Sequence, residues 1–343
     1  MAGFGQPASP TLEQVAALAG VSRSTVSRVV NGSPKVSEAT RAAVDAAIAQ
    51  LGYLPNPAAR TLVTRRTGSI ALVVRETEER VFGEPFFAGM VRGISGAVAS
   101  TDLQLVLLMA GPTADPGRLE RYLFGGHTDG VLLLSLHGVD PLPVHLAERG
   151  IPTVLGGRPH EPHPQLTWVD ADNVGGARLA TEHLVHAGRR RIATVTGPLD
   201  MVAGRDRLTG YRDALRDAGL PLNTDLEVVG GFTREGGREA ARQLLDRHPD
   251  VDAIVAASDL SAAGVLEVLQ EAGRRIPDDV AVTGFDDSTT ATSVRPALTT
   301  VRQDLTEIGA HMVRLLLEQI ESTAATPAVQ LVLPTTLVRR ASA

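Results

Sequence analysis

Apolar positions follow two different patterns, and the change comes near residue 68. Before it, apolar residues recur at helical spacing in three short segments, 12–19, 23–30 and 38–51. Thr11, Ser22 and Ser37 stand at the cap positions that precede these segments, and hydroxyl side chains there accept backbone N–H groups. The pattern predicts three short helices, an all-α headpiece over residues 11–56.

From residue 69 onward, short apolar runs typical of buried strands alternate with helical patterns. Strands are predicted over 70–74, 103–108, 130–134, 152–155, 192–196, 253–257, 280–283 and 331–333, and helices over 87–98, 175–186, 207–218, 236–246, 262–271 and 305–321. This alternation is typical of βαβ units with parallel sheets. About 270 residues exceed one small sheet, so the pattern predicts an α/β body with two doubly wound lobes.

Two segments fit neither pattern. Residues 1–10 are expected to form a disordered leader. Residues 57–67 combine a short helical stretch with a linker, since Asn56 suits an N-cap and Pro57 suits the first helical position. A helix this short is marginal on its own.

The charge is unevenly distributed between the two parts. The 343-residue chain has a net charge of -6, which by itself argues against nucleic-acid binding. Residues 1–66 nevertheless hold seven basic and three acidic side chains, a charge of +4, and the rest of the chain carries -10. A small basic module joined to a large acidic one suggests an anion-binding head on a separate body.

Composition narrows the function classes. The chain has no cysteine, which excludes disulfides, thiolate nucleophiles and cysteine metal sites. It shows no apolar run of about 20 residues and no basic start before an apolar segment, so we expect a cytoplasmic, nucleoid-associated protein without membrane contact. Two histidine pairs, His160 with His163 and His183 with His186, lack a clear third ligand, so neither a metal nor a cofactor is expected.

Common catalytic motifs are missing. The sequence contains no G-x-S-x-G, GxxxxGK[ST] or HExxH signature. Asp286 and Asp287 are adjacent, so they are not expected to flank a glycosidic bond as a hydrolase requires. We therefore expect a binding protein and no enzyme.

One face of the second helix carries hydrogen-bond donors and no carboxylate. Its residues are Arg23, Ser24, Ser27, Arg28 and Asn31, opposite the apolar valines. Arginine reads guanine edges in the major groove, and serine adapts to several partners. The residues alone leave two interpretations open, a DNA-reading helix or a solvated helix face.

The headpiece resembles that of the LacI/GalR family of transcription regulators. The resemblance rests on Thr11–Ala16, Ala19–Ser22, Thr25–Gly32, Val36–Ser37, Thr40–Arg41, Leu51–Tyr53, Pro55–Asn56 and Ala58–Leu62. It implies base contacts by Arg23, Ser24 and Arg28, and mostly phosphate contacts by Ser22, Thr25, Ser27 and Asn31.

The same resemblance adds Thr11, Tyr53, Asn56 and Ala59 to the DNA-binding set. It also implies a hinge helix, folded only on the operator, in which Leu62 wedges into the central minor groove. Inserting an apolar wedge unstacks a base step and bends the duplex. The alternative for Leu62 is simple packing in a linker.

The body resembles the same family over essentially its whole length. Matching runs include Gly83–Phe87, Asp129–Val131, Ile151–Val154, Val169–Asn173, Gly188–Ala193, Val282–Asp287 and Leu298–Gln303. They imply two lobes like periplasmic sugar-binding proteins of type I, with a ligand in the cleft between them. Crossings near 171, 302 and 329 divide the body into an N-terminal lobe, 68–170 with 302–328, and a C-terminal lobe, 171–301 with 329–343.

The resemblance implies a set of effector-binding residues, and four of them also have a purely structural interpretation. Arg205 matches an effector-holding arginine, or else forms a surface salt bridge. Asp286 is a sugar acceptor or a helix N-cap, and Phe232 is a stacking residue or core. Trp168 is a sugar platform or core packing. The remaining candidates are Phe86, Phe87, Arg158, Ser258 and Asp259.

Longer runs resemble one branch of the family, which contains the cellobiose-responsive repressors of actinobacterial cellulase regulons. They are 84–89, 132–137, 156–159 and 197–204. The branch implies a homodimer on a pseudo-palindromic double-stranded operator, released by cellobiose or a related oligosaccharide. A corepressor role for the ligand, or a sugar- or nucleoside-binding protein without a DNA role, are the alternatives.

Overall fold

The structure is a computed structural model that describes residues 10–30, 33–53, 66–111, 115–322, 324 and 326–343. It divides into two compact units, Met1–Thr67 and Gly68–Ala343. The predicted leader, apart from residue 10, and residues 57–65 of the predicted hinge lie outside the described residues.

The small unit contains the three predicted helices, α1 (Leu12–Ala19), α2 (Arg23–Val30) and α3 (Glu38–Leu51). Thr11 and Gln14 form a reciprocal capping box at the start of α1, as the sequence predicts. Gly20 ends α1 with a φ of 66°, a left-handed conformation that glycine adopts without strain.

A small apolar core holds these helices together. Val15, Val26, Val44 and Tyr53 are buried in it, one or more from each helix and the turn that follows α3. The apolar stripes therefore point inward, and the polar face of α2 is left for solvent.

The large unit contains two six-stranded sheets among the described residues. The N-terminal lobe has the order β11-β5-β4-β3-β1-β2, and the C-terminal lobe has β12-β10-β9-β8-β6-β7. The strands are β1 (Ser69–Val74), β2 (Gln104–Met109), β3 (Gly130–Leu134), β4 (Thr153–Gly156), β5 (Thr167–Ala171), β6 (Ile192–Thr196), β7 (Glu227–Val229), β8 (Ala253–Ala256), β9 (Ala281–Asp286), β10 (Thr299–Arg302), β11 (Gln330–Leu333) and β12 (Thr336–Val338).

Helices connect the strands. They are α4 (Glu78–Gly83), α5 (Pro85–Val98), α6 (Pro116–Phe124), α7 (Leu142–Glu148), α8 (Asn173–His186), α9 (Val202–Asp217), α10 (Arg234–Arg247), α11 (Asp259–Glu271), α12 (Thr289–Ser293) and α13 (Leu305–Glu321). All strand pairs are parallel except β10 with β12.

Each sheet buries both of its faces, which confirms the doubly wound α/β prediction. In β1, for example, Leu72 packs into one core of the N-terminal lobe and Val73 into the core on the opposite face. Successive strand side chains point to opposite faces, so strands covered on both sides are apolar throughout.

The chain crosses between the lobes three times. It leaves the N-terminal lobe after β5, which ends at Ala171, and returns after β10, which ends at Arg302. The predicted third crossing at 329 is wrong, because β11 pairs with β5 in the N-terminal sheet. The third crossing follows Leu333, and β12 then joins the C-terminal sheet.

No helix among the described residues is both long and apolar enough to cross a membrane.

Helices α8 and α9 approach each other closely at Gly210. A Cβ atom at this position would overlap the carbonyl oxygen of Val174 in the neighbouring helix. Gly96, near the end of α5, faces open space instead. An added methyl group would therefore clash with the neighbouring helix at position 210 and meet no atom at position 96.

We expect Gly210→Ala to lower the free energy of unfolding by about 1–3 kcal/mol, since the two helix backbones must separate. The matched variant Gly96→Ala should be neutral or stabilising by up to about 1 kcal/mol, because alanine favours helix. Urea denaturation of both variants tests this, and equal stability of the two would contradict the packing argument.

Candidate functional site

The polar face of α2 is the first candidate site. Ser22, Arg23, Ser24 and Arg28 are exposed, whereas Val26 and Val29 are buried beneath them. Thr25 and Ser27 are half-buried at the edges of this face. Two guanidinium groups and several hydroxyls therefore face outward from a helix whose opposite side packs in the headpiece core.

Ser22 organises the start of this helix. Its Oγ accepts the backbone N–H of Thr25 at 3.1 Å and lies 2.8 Å from the hydroxyls of both Ser24 and Thr25. Arg23 forms a solvent-exposed ion pair with Glu13 at 3.2 Å. An exposed pair of this kind contributes little to stability, so Arg23 can exchange Glu13 for another anion at low cost.

Of the remaining predicted DNA-binding residues, only Thr11 and Tyr53 lie among the described residues. Thr11 is exposed but is occupied in capping α1. Tyr53, which the resemblance adds to the DNA-binding set, packs in the headpiece core with an exposure of 7%. Asn31, Asn56, Ala59 and Leu62 lie outside the described residues.

The second candidate site is the cleft between the two lobes, where the carboxyl ends of both sheets meet. A cavity of about 560 Å³ lies there, and a second of about 660 Å³ shares five lining residues with it. Of the predicted residues, the first cavity is lined by Phe86, Phe87, Phe232, Ser258 and Asp286, and the second by Phe86 and Arg158. Open α/β sheets bind ligands at this edge.

Arg207, which was not predicted, is the central cation of the cleft. It is 8% exposed and lines both cavities. Its Nε donates to Asn173 Oδ1 at 2.9 Å, its Nη1 donates to the carbonyl of Ala257 at 2.5 Å, and Nη1 lies 3.6 Å from Asp286 Oδ1. Its guanidinium carbon sits 3.6 Å from the ring centre of Phe285.

Arg205, the predicted effector arginine, lies elsewhere. It contacts the rim of the cleft, where Nη1 is 3.3 Å from His160 Nε2 and Nη2 donates to the His160 carbonyl at 3.3 Å. Positions two apart on a helix point about 200° apart, so only one of Arg205 and Arg207 can face the cavities. The structure places Arg207 there.

Asp286 is an acceptor held in a strained backbone conformation. Its φ is 111°, and Ser135 (60°), Phe232 (64°) and Asp287 (50°) are further non-glycine residues with positive φ, all at or beside the cleft. Such strain gathers at functional sites because surrounding contacts enforce it. The side chain of Gln303 donates to Asp286 Oδ1 at 2.6 Å, and burial raises the pKa of this carboxyl.

Asp259, predicted to bind effector, is fully buried and lines neither cavity. It accepts the backbone N–H of Ser288 at 2.7 Å and the hydroxyl of Thr300 at 2.5 Å. It therefore positions the loop that carries Asp286 and does not face a ligand. The helix that follows is capped by Ser288, so neither Asp286 nor Asp287 is an N-cap.

Ser258 has two roles. It caps α11 and lines the first cavity. Its hydroxyl donates to the carbonyl of Phe232 at 2.9 Å, which fixes the loop that presents the Phe232 ring. Phe232 thus stands at the cleft wall, whereas packing wholly inside the core was the alternative.

The N-terminal lobe contributes an aromatic pair and an ionic network. Phe86 and Phe87 are edge to face with ring centres 5.2 Å apart. Arg80, between two carboxylates, donates to Glu84 Oε1 and to Glu76 Oε1, each at 2.6 Å. The sequence reasoning missed this network, since a Glu- and Arg-rich stretch is typical of a solvated surface.

His137 joins the two lobes at the rim. Its Nε2 lies 2.9 Å from Glu76 Oε1 in the N-terminal lobe, and its Nδ1 lies 2.8 Å from Asp200 Oδ2 in the C-terminal lobe. The hydrogen bond to Glu76 raises the pKa of His137, and Asp200 adds to this effect. A positive charge on the imidazole therefore strengthens the contact between the lobes.

Arg158 makes a second contact between the lobes. Its Nε donates to Asp170 Oδ2 at 2.9 Å in its own lobe, and its Nη2 pairs with Asp206 of α9.

Trp168, by contrast, is 8% exposed and packs in a core of the N-terminal lobe. It lies on β5 two residues before Asp170, which lines the second cavity, so it falls short of the cleft edge.

The arrangement suits a polyhydroxylated ligand. Planar donors and acceptors stand beside three phenylalanine rings, which is how polar selectivity and apolar contact combine in ligand pockets. Among the described residues, no group of three or more histidine or acidic side chains is arranged to hold a metal ion.

Family models match both units. Residues 11–56 match the model of bacterial regulatory proteins, lacI family, and residues 181–343 match a periplasmic binding protein-like domain. The HTH-type transcriptional regulator CelR of Thermobifida fusca is 54% identical over 334 residues, which cover 97% of this chain and 98% of that protein. The ribose operon repressor of Escherichia coli K12 is 36% identical over 90% of this chain and 93% of its own length.

Solved structures agree with these relatives. A transcriptional regulator CelR-cellobiose complex matches with a TM-score of 0.77 and 51% identity, over 97% of this chain and all of that chain. The lac repressor dimer bound to operator and the anti-inducer ONPF matches with a TM-score of 0.84 and 28% identity, over 97% and 99%. This chain therefore belongs to the lacI family of bacterial regulatory proteins.

Proposed function

We propose that the chain is a sequence-specific repressor of carbohydrate-utilisation genes, released from its operator by a neutral oligosaccharide. The observation that carries the proposal is the cleft itself, where Arg207, Asp286 and Gln303 stand beside Phe86 and Phe232. Cellobiose is the first ligand to test, because the 54% identical relative is a CelR regulator and a CelR structure contains cellobiose.

The proposed mechanism couples the cleft to DNA. A cytoplasmic homodimer grips a pseudo-palindromic operator with one α2 in each major groove, so protein and DNA symmetry match. The hinge and linker of residues 57–67 would carry this coupling, with Leu62 as the proposed minor-groove contact. A ligand that favours another lobe orientation weakens DNA binding, and by linkage DNA weakens ligand binding equally.

The proposal includes binding without catalysis. The three carboxylates that line the two cavities are already engaged, Glu84 by Arg80, Asp286 by Gln303 and Asp170 by Arg158. Cellobiose recovered unchanged after prolonged incubation with the protein supports this part, and glucose among the products contradicts it.

The central test is a fluorescence-anisotropy titration of the full chain on a labelled duplex from its own upstream region, with a panel of disaccharides. We expect tight binding that cellobiose or a related β-linked sugar reverses. Failure to bind DNA contradicts the repressor role. Tighter DNA binding in the presence of sugar would mean that the ligand acts as a corepressor and does not release the protein.

Arg28→Ala should reduce discrimination between operator and unrelated DNA. An arginine that reads a guanine edge contributes about 1–3 kcal/mol of discrimination, so operator affinity should fall roughly 5- to 150-fold with little change on unrelated DNA. The exposed residue Gln50 on α3 offers a matched control, and Gln50→Ala should bind as wild type does. An equal loss on all sequences would assign Arg28 to phosphate.

Arg207→Ala should abolish the sugar response, because the variant removes the cation that both cavities share. Arg205→Ala should keep ligand binding, since Arg205 contacts only the rim among the described residues. Calorimetric titration with the sugar measures both affinities, and retained operator binding shows that each variant is folded. Loss of sugar binding in Arg205→Ala, together with unchanged sugar binding in Arg207→Ala, would show that Arg205 and not Arg207 is the ligand-binding arginine.

A further inference from the structure

Two carboxylates face each other across the cleft cavity. Glu84 stands on the wall of the N-terminal lobe and Asp286 on the wall of the C-terminal lobe, and both line the cavity of about 560 Å³. Their side chains are only 11% and 13% exposed. Burial raises the pKa of Asp286, and the charge of Glu84 on the opposite wall adds a smaller contribution in the same direction.

The nearby cations are already committed to protein partners. Arg80 donates through Nε and Nη2 to the two oxygens of Glu84, at 2.6 and 3.2 Å, and through Nη1 to Glu76. Arg207 donates to Asn173 and to the Ala257 carbonyl. An anionic ligand would have to compete with these bonds to gain a counter-charge.

The cavity therefore carries surplus negative charge. Four carboxylates, Glu76, Glu84, Asp200 and Asp286, share only three cations, Arg80, Arg207 and the imidazole of His137, in a partly buried setting. Like charges interact strongly where water is scarce, so a further anion between Glu84 and Asp286 is disfavoured. A hydroxyl group placed there meets acceptors on both walls and donates to them without adding charge.

We propose that Glu84, together with Asp286, determines ligand class by admitting neutral polyhydroxylated sugars and excluding sugar phosphates and sugar acids. The inference rests on the proposed function, since it concerns the ligand of the same cleft. It assigns Glu84 a direct ligand contact on the N-terminal lobe, opposite the contact that Asp286 makes from the C-terminal lobe.

Glu84→Gln tests the proposal because it keeps the size of the side chain and removes its charge. Calorimetric titrations at one ionic strength compare cellobiose with cellobionate and with a cellobiose phosphate, which carry the anion at different positions. In the wild type we expect both anions to bind at least 100-fold more weakly than cellobiose. In Glu84→Gln this ratio should fall at least tenfold for one anion or both.

Glu79→Gln is the matched control. Glu79 is exposed on α4, the helix that ends just before Glu84, and it does not line the cavity, so the variant changes the net charge equally without altering the cavity wall. Its neutral-to-anion ratio should equal that of the wild type, and operator binding by both variants shows that they are folded.

Two results overturn the inference: an unchanged ratio in Glu84→Gln, or an equal change in Glu79→Gln, which would indicate only a long-range effect of net charge. Neutral sugar binding in the wild type separates these results from failure of the proposed function. If no neutral disaccharide of the panel binds the wild type, the proposed function fails, and this inference fails with it.

Discussion

The buried guanidinium of Arg207 is the interaction on which the C-terminal wall of the cleft depends. It reaches three segments that are distant in sequence: Asn173 at the start of α8, the carbonyl of Ala257 after β8, and Asp286 at the end of β9. Removing one partner of a buried charge commonly costs about 3–5 kcal/mol, because the charge left behind has lost its water and its partner. The three segments are therefore held in one arrangement.

This rigidity allows the cleft to keep backbone conformations that would otherwise relax. Phe232 and Asp286 have positive φ values, and each is held by a neighbour: Ser258 bonds the Phe232 carbonyl, and Gln303 bonds the Asp286 carboxylate. Asp259 holds the next part of the same loop through Ser288. Ligand groups consequently meet donors and acceptors that are already oriented, which lowers the entropic cost of binding.

The position of the cleft relative to the crossings suits a change in lobe orientation. Asn173 and Gln303 contact cleft groups, and each lies directly beside a segment that crosses between the lobes. His137 and Arg158 add contacts from lobe to lobe at the rim. A ligand can shift such an equilibrium only by its different affinity for the two orientations, and a ligand that touches both walls has that property.

Much of the fold could be predicted from the periodicity of apolar residues. Helices of the headpiece and the central strands of both sheets follow it closely, because each buries a continuous stripe or both faces. The strands β5, β7, β10 and β12 were missed, since they are short and mix polar with apolar residues. The third crossing was misplaced for a related reason: strand pairing, which sequence spacing does not reveal, puts β11 in the N-terminal sheet.

The sequence alone determined the two-part organisation, the polar face of α2 and the family, because local periodicity, charge and ordered motifs carry them. Only the tertiary structure decided which polar residues meet in the cleft. Arg205 and Arg207 are the same residue type two positions apart in the sequence. They point in different directions from α9, so Arg205 contacts the rim and Arg207 lines the cavity. Trp168 and Asp170 share a strand face, yet distance from the sheet edge separates core from cleft. Glu84 and Asp286 are some 200 residues apart in sequence, yet both line one cavity. They are brought together by the packing of the two lobes, which chain order does not reveal.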